Sequence, residues 1–189
     1  MILFLNNLFW HLHTINTHRR QVRKFCFKLG LFWQWLTHDL SKYSPTEFFV
    51  GVKYFQWYRS PNVSERADKW YSSARLHHKW RNKHHFEYRN DLIDGKYQPI
   101  KMPVRYVKEM FCDMLAAWKT YKWSEFKSHY PFEYFQHSAD KSRIHPETAK
   151  LLVSRLIILK DEWEDAAFTH ISTNYKDNDT RDYITHVEY

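Results

Sequence analysis

The sequence predicts an all-α fold, and three observations carry that expectation. Leu8, Ile15, Val22, Phe25 and Leu29 recur at intervals of three, four and seven, the spacing of one helical face. Helix-start signals recur along the chain, as at Ser44-Pro45-Thr46-Glu47, a capping box with proline at the first helical position. No segment reads convincingly as part of a sheet.

The first helix is expected over residues 3–29, with Leu29-Gly30 as its stop. Residues 31–40 read as a second helix that carries the pair His38-Asp39 at its end, and a third runs from Ser44 through Phe55. Ser64 caps a helix expected to continue through a histidine cluster to Phe86. Residues 90–102, with Asp94-Gly95 and Pro99, form a loop or a short hairpin. Pro103 starts a strong helix to Thr120, and His145-Pro146-Glu147 opens another through Trp163. No linker or repeat divides the chain, so one helical domain is expected over residues 1–171, followed by a polar, loosely held tail at 172–189.

Composition narrows the function. A chain of 189 residues can bury a sizeable core. A net charge of +8 points to an anionic partner, such as a nucleotide, a nucleic acid or a membrane surface, although a solvated basic surface has the same signature. Two cysteines, Cys26 and Cys112, make a disulfide framework improbable and suit a reducing, cytoplasmic setting. The apolar start, MILFLNNLFW, is too short to span a bilayer and has no basic n-region or small-residue cleavage site. No membrane partner is expected.

The chemistry concentrates in histidine and aspartate. His38-Asp39 places an imidazole beside a carboxylate near a helix end, where both can ligate one divalent ion. His11 and His18 share a helical stripe two turns apart, His18 next to the apolar positions. A single histidine on such a face is more often a hydrogen-bonded core residue than a ligand. Asp113 lies mid-helix among Met110, Phe111, Met114 and Leu115, company that is costly for a carboxylate unless it is paired or holds a metal. Lys108 or Arg105 could supply the bland alternative, a salt bridge.

In LHHKWRNKHHFEY, an uninterrupted helix would put His78, Asn82 and His85 on one stripe and His77, Arg81 and His84 on the next. Four imidazoles among cations suit a second metal or a bound phosphate; a solvated cationic helix end is the alternative. Lys42 is placed to meet a substrate phosphate, and Glu87 and Glu109 to orient imidazoles. Other chemistries lack their residues: there is no Gly-rich phosphate loop, CxxC pair or GxSxG.

His18…His38-Asp39…Asp113 resembles the H…HD…D signature of the HD-domain phosphohydrolase superfamily. More closely, HLHTINTHRRQV, HDLSKYSPTEFF, LHHKWRNKHHFEY and KMPVRYVKEMFCDMLAA resemble an HD-related family of unknown function found in bacteria and phages. The resemblance implies an HD-like helical bundle with one divalent ion on His18, His38, Asp39 and Asp113. A second would sit on His78 and His85, or on His77 and His84. His11 is either a further ligand or a partner of His18.

The expected function is then hydrolysis of a nucleotide or other small phosphate ester. Mn, Fe, Co or Zn would be held as one or two ions, and Asp39, Lys42, His78 and His85 would be the catalytic group. Lys42, His77, Arg81, Asn82 and His84 would hold the phosphate oxygens. The rival from another class is a basic, non-catalytic protein that binds nucleic acid or nucleotide, with bases stacked on its aromatics.

One imbalance stands apart: 3 glycines against 9 tryptophans. The resemblance implies glycine at positions 35, 57, 70, 80 and 123, where this chain has Trp35, Trp57, Trp70, Trp80 and Trp123. Five separate changes of that size would each cost about 1–3 kcal/mol by overpacking. A single cause is more economical: UGA codons translated as tryptophan where the source organism reads glycine.

Overall fold

The computed structural model describes residues 2–138 and 141–174; the expected tail beyond residue 174 lies outside them. Eight α-helices make up most of the described chain, so the fold is all-α apart from one small hairpin. Helix α1 spans Ile2–Lys28 and ends at the expected stop. Gly30 adopts φ +71, and the amides of Gly30 and Leu31 bond back to the carbonyls of Phe27 and Cys26. This left-handed closure turns the chain sharply into α2, Phe32–Thr37.

A 3-10 turn, Leu40–Tyr43, leads into α3, Pro45–Lys53, whose first turn is capped by the Ser44 side chain accepting from the Glu47 amide. The single helix expected from Ser64 to Phe86 is instead two. Helix α4, Pro61–Lys69, stops at Trp70 in left-handed backbone; Ser72 then caps α5, Ser73–Lys79. Past Lys79 the chain turns, so Asn82, His84 and His85 are not on a helix. The region at 90–102 resolves as an antiparallel hairpin of β1, Asn90–Ile93, and β2, Lys96–Pro99, turning through Asp94-Gly95. Of the two alternatives expected there, a loop or a short hairpin, the hairpin forms. Its exposed face explains why no alternation marked it.

Helix α6, Val104–Lys122, makes its most extensive helix contact with α1. Helix α7, Tyr130–Ser138, and the long α8, Pro146–Asn174, complete the bundle. Helix α8 runs three residues past the expected domain end at 171. The core joins Val22, Phe25 and Cys26 of α1 to Val107, Phe111 and Leu115 of α6 and Leu152, Leu156 and Phe168 of α8. Each such side chain removed from water contributes roughly 1.5–3 kcal/mol. That core fixes α1 against α6, and hence His18 against Asp113. Among the described residues, no helix is long and apolar enough to cross a membrane.

Three tryptophans have positive φ: Trp70 (φ 58), Trp123 (φ 47) and Trp163 (φ 69, ψ −178), the last breaking α8 into two helical runs. Trp80 has ordinary helical backbone, and Trp35 packs partly buried beneath the Arg23 guanidinium.

Candidate metal centre

Four separate elements converge on one point. Helix α1 supplies His18, α6 supplies Glu109 and Asp113, and the last turn of α5 supplies His78, with His84 and His85 just beyond it. His38 caps the end of α2. Asp39 then takes φ 54, ψ 27, a left-handed conformation that aspartate tolerates better than most residues. Its side chain is fully buried.

The two oxygens of Asp39 divide the site between them. Oδ2 faces His18 Nε2 (3.6 Å), His38 Nε2 (3.3 Å) and Lys42 Nζ (2.6 Å). Oδ1 faces His78 Nε2 (3.4 Å) and His84 Nε2 (3.5 Å). Asp113 closes the first set, its Oδ1 lying 2.9 Å from His18 Nε2 and 3.5 Å from His38 Nε2. Two overlapping groups with ligand atoms within 4.8 Å of one another result: His18, His38, Asp39 and Asp113, and Asp39, His78, His84 and His85.

The donor atoms fit a cation. His84 Nε2 and Asp39 Oδ1 are buried without a hydrogen-bond partner among the described residues, and His18 Nε2, His38 Nε2 and Asp39 Oδ2 meet only the ion-pair contacts just described. Orphaned lone pairs of that kind are costly unless something positive receives them. The remaining ring nitrogens are held from behind. Glu109 Oε1 lies 2.9 Å from His38 Nδ1 and 3.1 Å from His84 Nδ1, and Glu47 Oε2 lies 2.9 Å from His78 Nδ1. A carboxylate in that place accepts a hydrogen bond from Nδ1–H and turns the Nε2 lone pair to the centre, as in histidine-ligated metal sites. These residues can therefore hold a metal ion.

His85 is set differently from its neighbour. Behind its Nδ1, at 2.9 Å, stands the Lys79 ammonium, itself paired with Glu87 at 3.3 Å. An ammonium donates, so neutral His85 keeps its proton on Nε2 and presents a donor, not a lone pair.

Charge follows the same division. Burial works against every ionised carboxylate here, yet His38 and Lys42 hold Asp39 well below the usual range, and hydrogen bonds from His18 and His38 do the same for Asp113. Burial would lower His38, but the Asp39 charge and its carboxylate hydrogen bonds raise it well above 6.5. Burial and the Lys79 charge push His85 well below it. Burial would also lower Lys42, whereas Asp39 and Asp113 raise it.

A cavity of about 300 Å³ opens beside these groups, between α1, α3, α4, α5 and α6, lined in part by His18, Lys42, His78, His85 and Asp113. The residues expected to hold phosphate are placed as follows. Lys42 lines the cavity; His84 is buried in the second ligand set instead. His77 is paired with Glu47 Oε1 at 2.7 Å, and Asn82 donates to Ser41 Oγ and to the His78 carbonyl. Arg81 is exposed in the turn after α5. The expected stripes therefore do not form, because the helix that would carry them ends at Lys79.

His11 is in neither ligand group and lines the cavity instead. Glu87 holds Arg75 and Lys79, not an imidazole. Glu47, Lys79 and Thr120 had no signal of their own: Glu47 read only as a cap, and its two imidazole contacts exist only because α3 packs on α5.

The sequence matches a family of unknown function, DUF5662, over residues 8–157. The chain belongs to that family. The match takes in every residue of both ligand groups and the whole cavity wall. No curated protein and no solved structure matches the chain.

Proposed function

We propose that this protein is a metal-dependent phosphohydrolase of HD type acting on a small phosphate ester. The observation that carries the reading is Asp39, whose two oxygens face two different imidazole sets, with one imidazole of each set, His18 and His78, lining the cavity. His18, His38, Asp39 and Asp113 would hold one ion; Asp39, His78 and His84 would hold a second. The mixed nitrogen and oxygen donors suit Mn, Fe, Co or Zn over Ca. A divalent ion there supplies Lewis acidity towards a phosphoryl oxygen and lowers the pKa of water.

The chain's own groups do the rest. Lys42, paired to Asp39 and facing the cavity, neutralises a phosphate oxygen. His85, with its proton on Nε2, donates to a second oxygen or to the leaving group. Glu109 and Glu47 keep the ligand rings in register. A cavity of about 300 Å³ suits a small molecule as substrate.

Metal content per chain, measured on wild type beside Asp39→Ala, tests this reading. One or two equivalents of a transition metal, lost in the variant, with chelator-sensitive hydrolysis of phosphate esters, is the expected result. A folded protein that takes up neither Mn²⁺ nor Zn²⁺ refutes it. Salt-sensitive nucleic-acid binding without metal would favour the rival reading.

A further inference from the structure

The cavity wall away from the ligands carries two polar side chains that the metal chemistry does not use. His11 is 8% exposed and Thr120 is 7% exposed; His11 Nδ1 and Thr120 Oγ1 are both buried without a partner among the described residues, and both side chains line the cavity. His11 stands seven residues along α1 from His18, and Thr120 seven along α6 from Asp113, each about 10 Å at the helical rise. That is beyond the reach of a phosphate on the ligands, but within reach of the group esterified to it.

The seat of His11 is built for it. A Cβ on Gly51 would lie 2.0 Å from His11 Nε2, so only glycine lets α3 approach this ring. Phe48 and Phe55 pack beside it, with ring centroids 5.5 Å and 6.0 Å away. Burial and the Lys42 charge lower its pKa to about 4, so the ring is neutral and offers one donor and one acceptor. A threonine hydroxyl offers the same pair. Uncharged groups of this kind match alcohols, and a cavity of about 300 Å³ is at the small end for ligand sites.

We propose that His11 and Thr120 form the subsite for the organic part of the substrate, and that this part is hydroxyl-bearing, as in a ribosyl phosphate. The inference rests on the phosphohydrolase reading of the same cavity. It is tested by calorimetry of the Mn²⁺-loaded protein with ribose 5-phosphate and with inorganic phosphate. Wild type should prefer the sugar phosphate. Thr120→Val and His11→Leu should each reduce that preference about three- to tenfold, the scale of one neutral hydrogen bond. Affinity for inorganic phosphate should stay unchanged, which also reports an intact fold, and Thr120→Ser should retain the preference. Phosphate binding without a preference, or a preference intact in both variants, overturns the subsite and leaves the hydrolase reading standing. Binding of neither compound overturns both.

A second inference rests on the backbone alone. Positive φ is a genuine outlier for a bulky side chain, and the backbone of Trp163 at φ 69, ψ −178 lies where essentially only glycine is found. Trp123 at φ 47, ψ −119 is also outside the allowed left-handed region. Trp70, Trp123 and Trp163 are 89%, 69% and 63% exposed, so no burial of the rings offsets the strain. We infer that positions 70, 123 and 163 are glycine positions of the natural protein, entered here through UGA codons read as tryptophan. Position 163 is added by its backbone; Trp80 has helical dihedrals and gains no such support. The coding DNA and thermal melts of Trp70→Gly, Trp123→Gly and Trp163→Gly decide it. UGA codons and raised melting temperatures are expected, with Trp118→Gly, which removes a ring packed on Tyr130, lowering it. UGG at all three codons, or lowered melting temperatures in all three variants, overturns the inference.

Discussion

Two walls of the centre treat the same side chain in opposite ways. On the α6 wall, Glu109 accepts from His38 and His84 and commits both rings to offering Nε2 lone pairs. On the α5 wall, Lys79 donates to His85, one residue after His84, and leaves that ring an Nε2 donor. The adjacent rings stand 4.1 Å apart between centroids, yet one suits a cation and the other an anion. The lesson is that the group behind an imidazole, not the histidine, sets its chemistry.

The comparison can be broken most sharply at Glu109. Glu109→Gln leaves one amide oxygen facing two ring N–H groups and should lower metal affinity about 10–100-fold, read by competition with a chelator. Loss of affinity no greater than in Lys79→Met would erase the distinction between the walls. His85→Asn should keep the metal content of wild type and weaken inorganic phosphate binding about tenfold, the scale of one hydrogen bond to a charged group. Loss of metal in that variant would make His85 a ligand after all. Lys79→Met removes the charge behind His85, so the ring's depressed pKa should rise towards 6.5, followed by its NMR titration in the metal-free protein.

The smallest effect is on stability against pH, and the walls have opposite signs. His38 has a raised folded pKa, so its contribution in the metal-free protein is present below pH 6.5 and fades as pH rises through that folded value. His85 has a depressed folded pKa, so its contribution is present above 6.5 and is lost as pH falls. His11 acts on the same side as His85, between pH 6.5 and about 4. Urea unfolding of metal-free His85→Asn should show a shallower loss of stability from pH 7 to 5 than wild type; an unchanged slope would contradict the burial of a neutral ring.

The set His18, His38, Asp39 and Asp113 was legible through its resemblance to a family signature; the sequence by itself determined the helical class, the stop at Gly30, the cap at Ser44, and Asp113 as a carboxylate in need of a partner. Those are local properties: periodicity, capping chemistry, and the cost of a carboxylate among apolar residues, which the chain records position by position. Residues 64–86 went differently. A periodic reading drew one helix through them, but left-handed backbone at Trp70 and the turn after Lys79 cut it in two, and its stripes dissolved with it. Tertiary structure alone decided that His84 and His85 face opposite partners, that Glu47 leaves its cap to hold His77 and His78, and that His11 seats against Gly51. These contacts join residues from 6 positions apart, Lys79 and His85, to 40 apart, His11 and Gly51, and no local pattern encodes which side chain the packing of α1, α3, α5 and α6 will bring behind a ring.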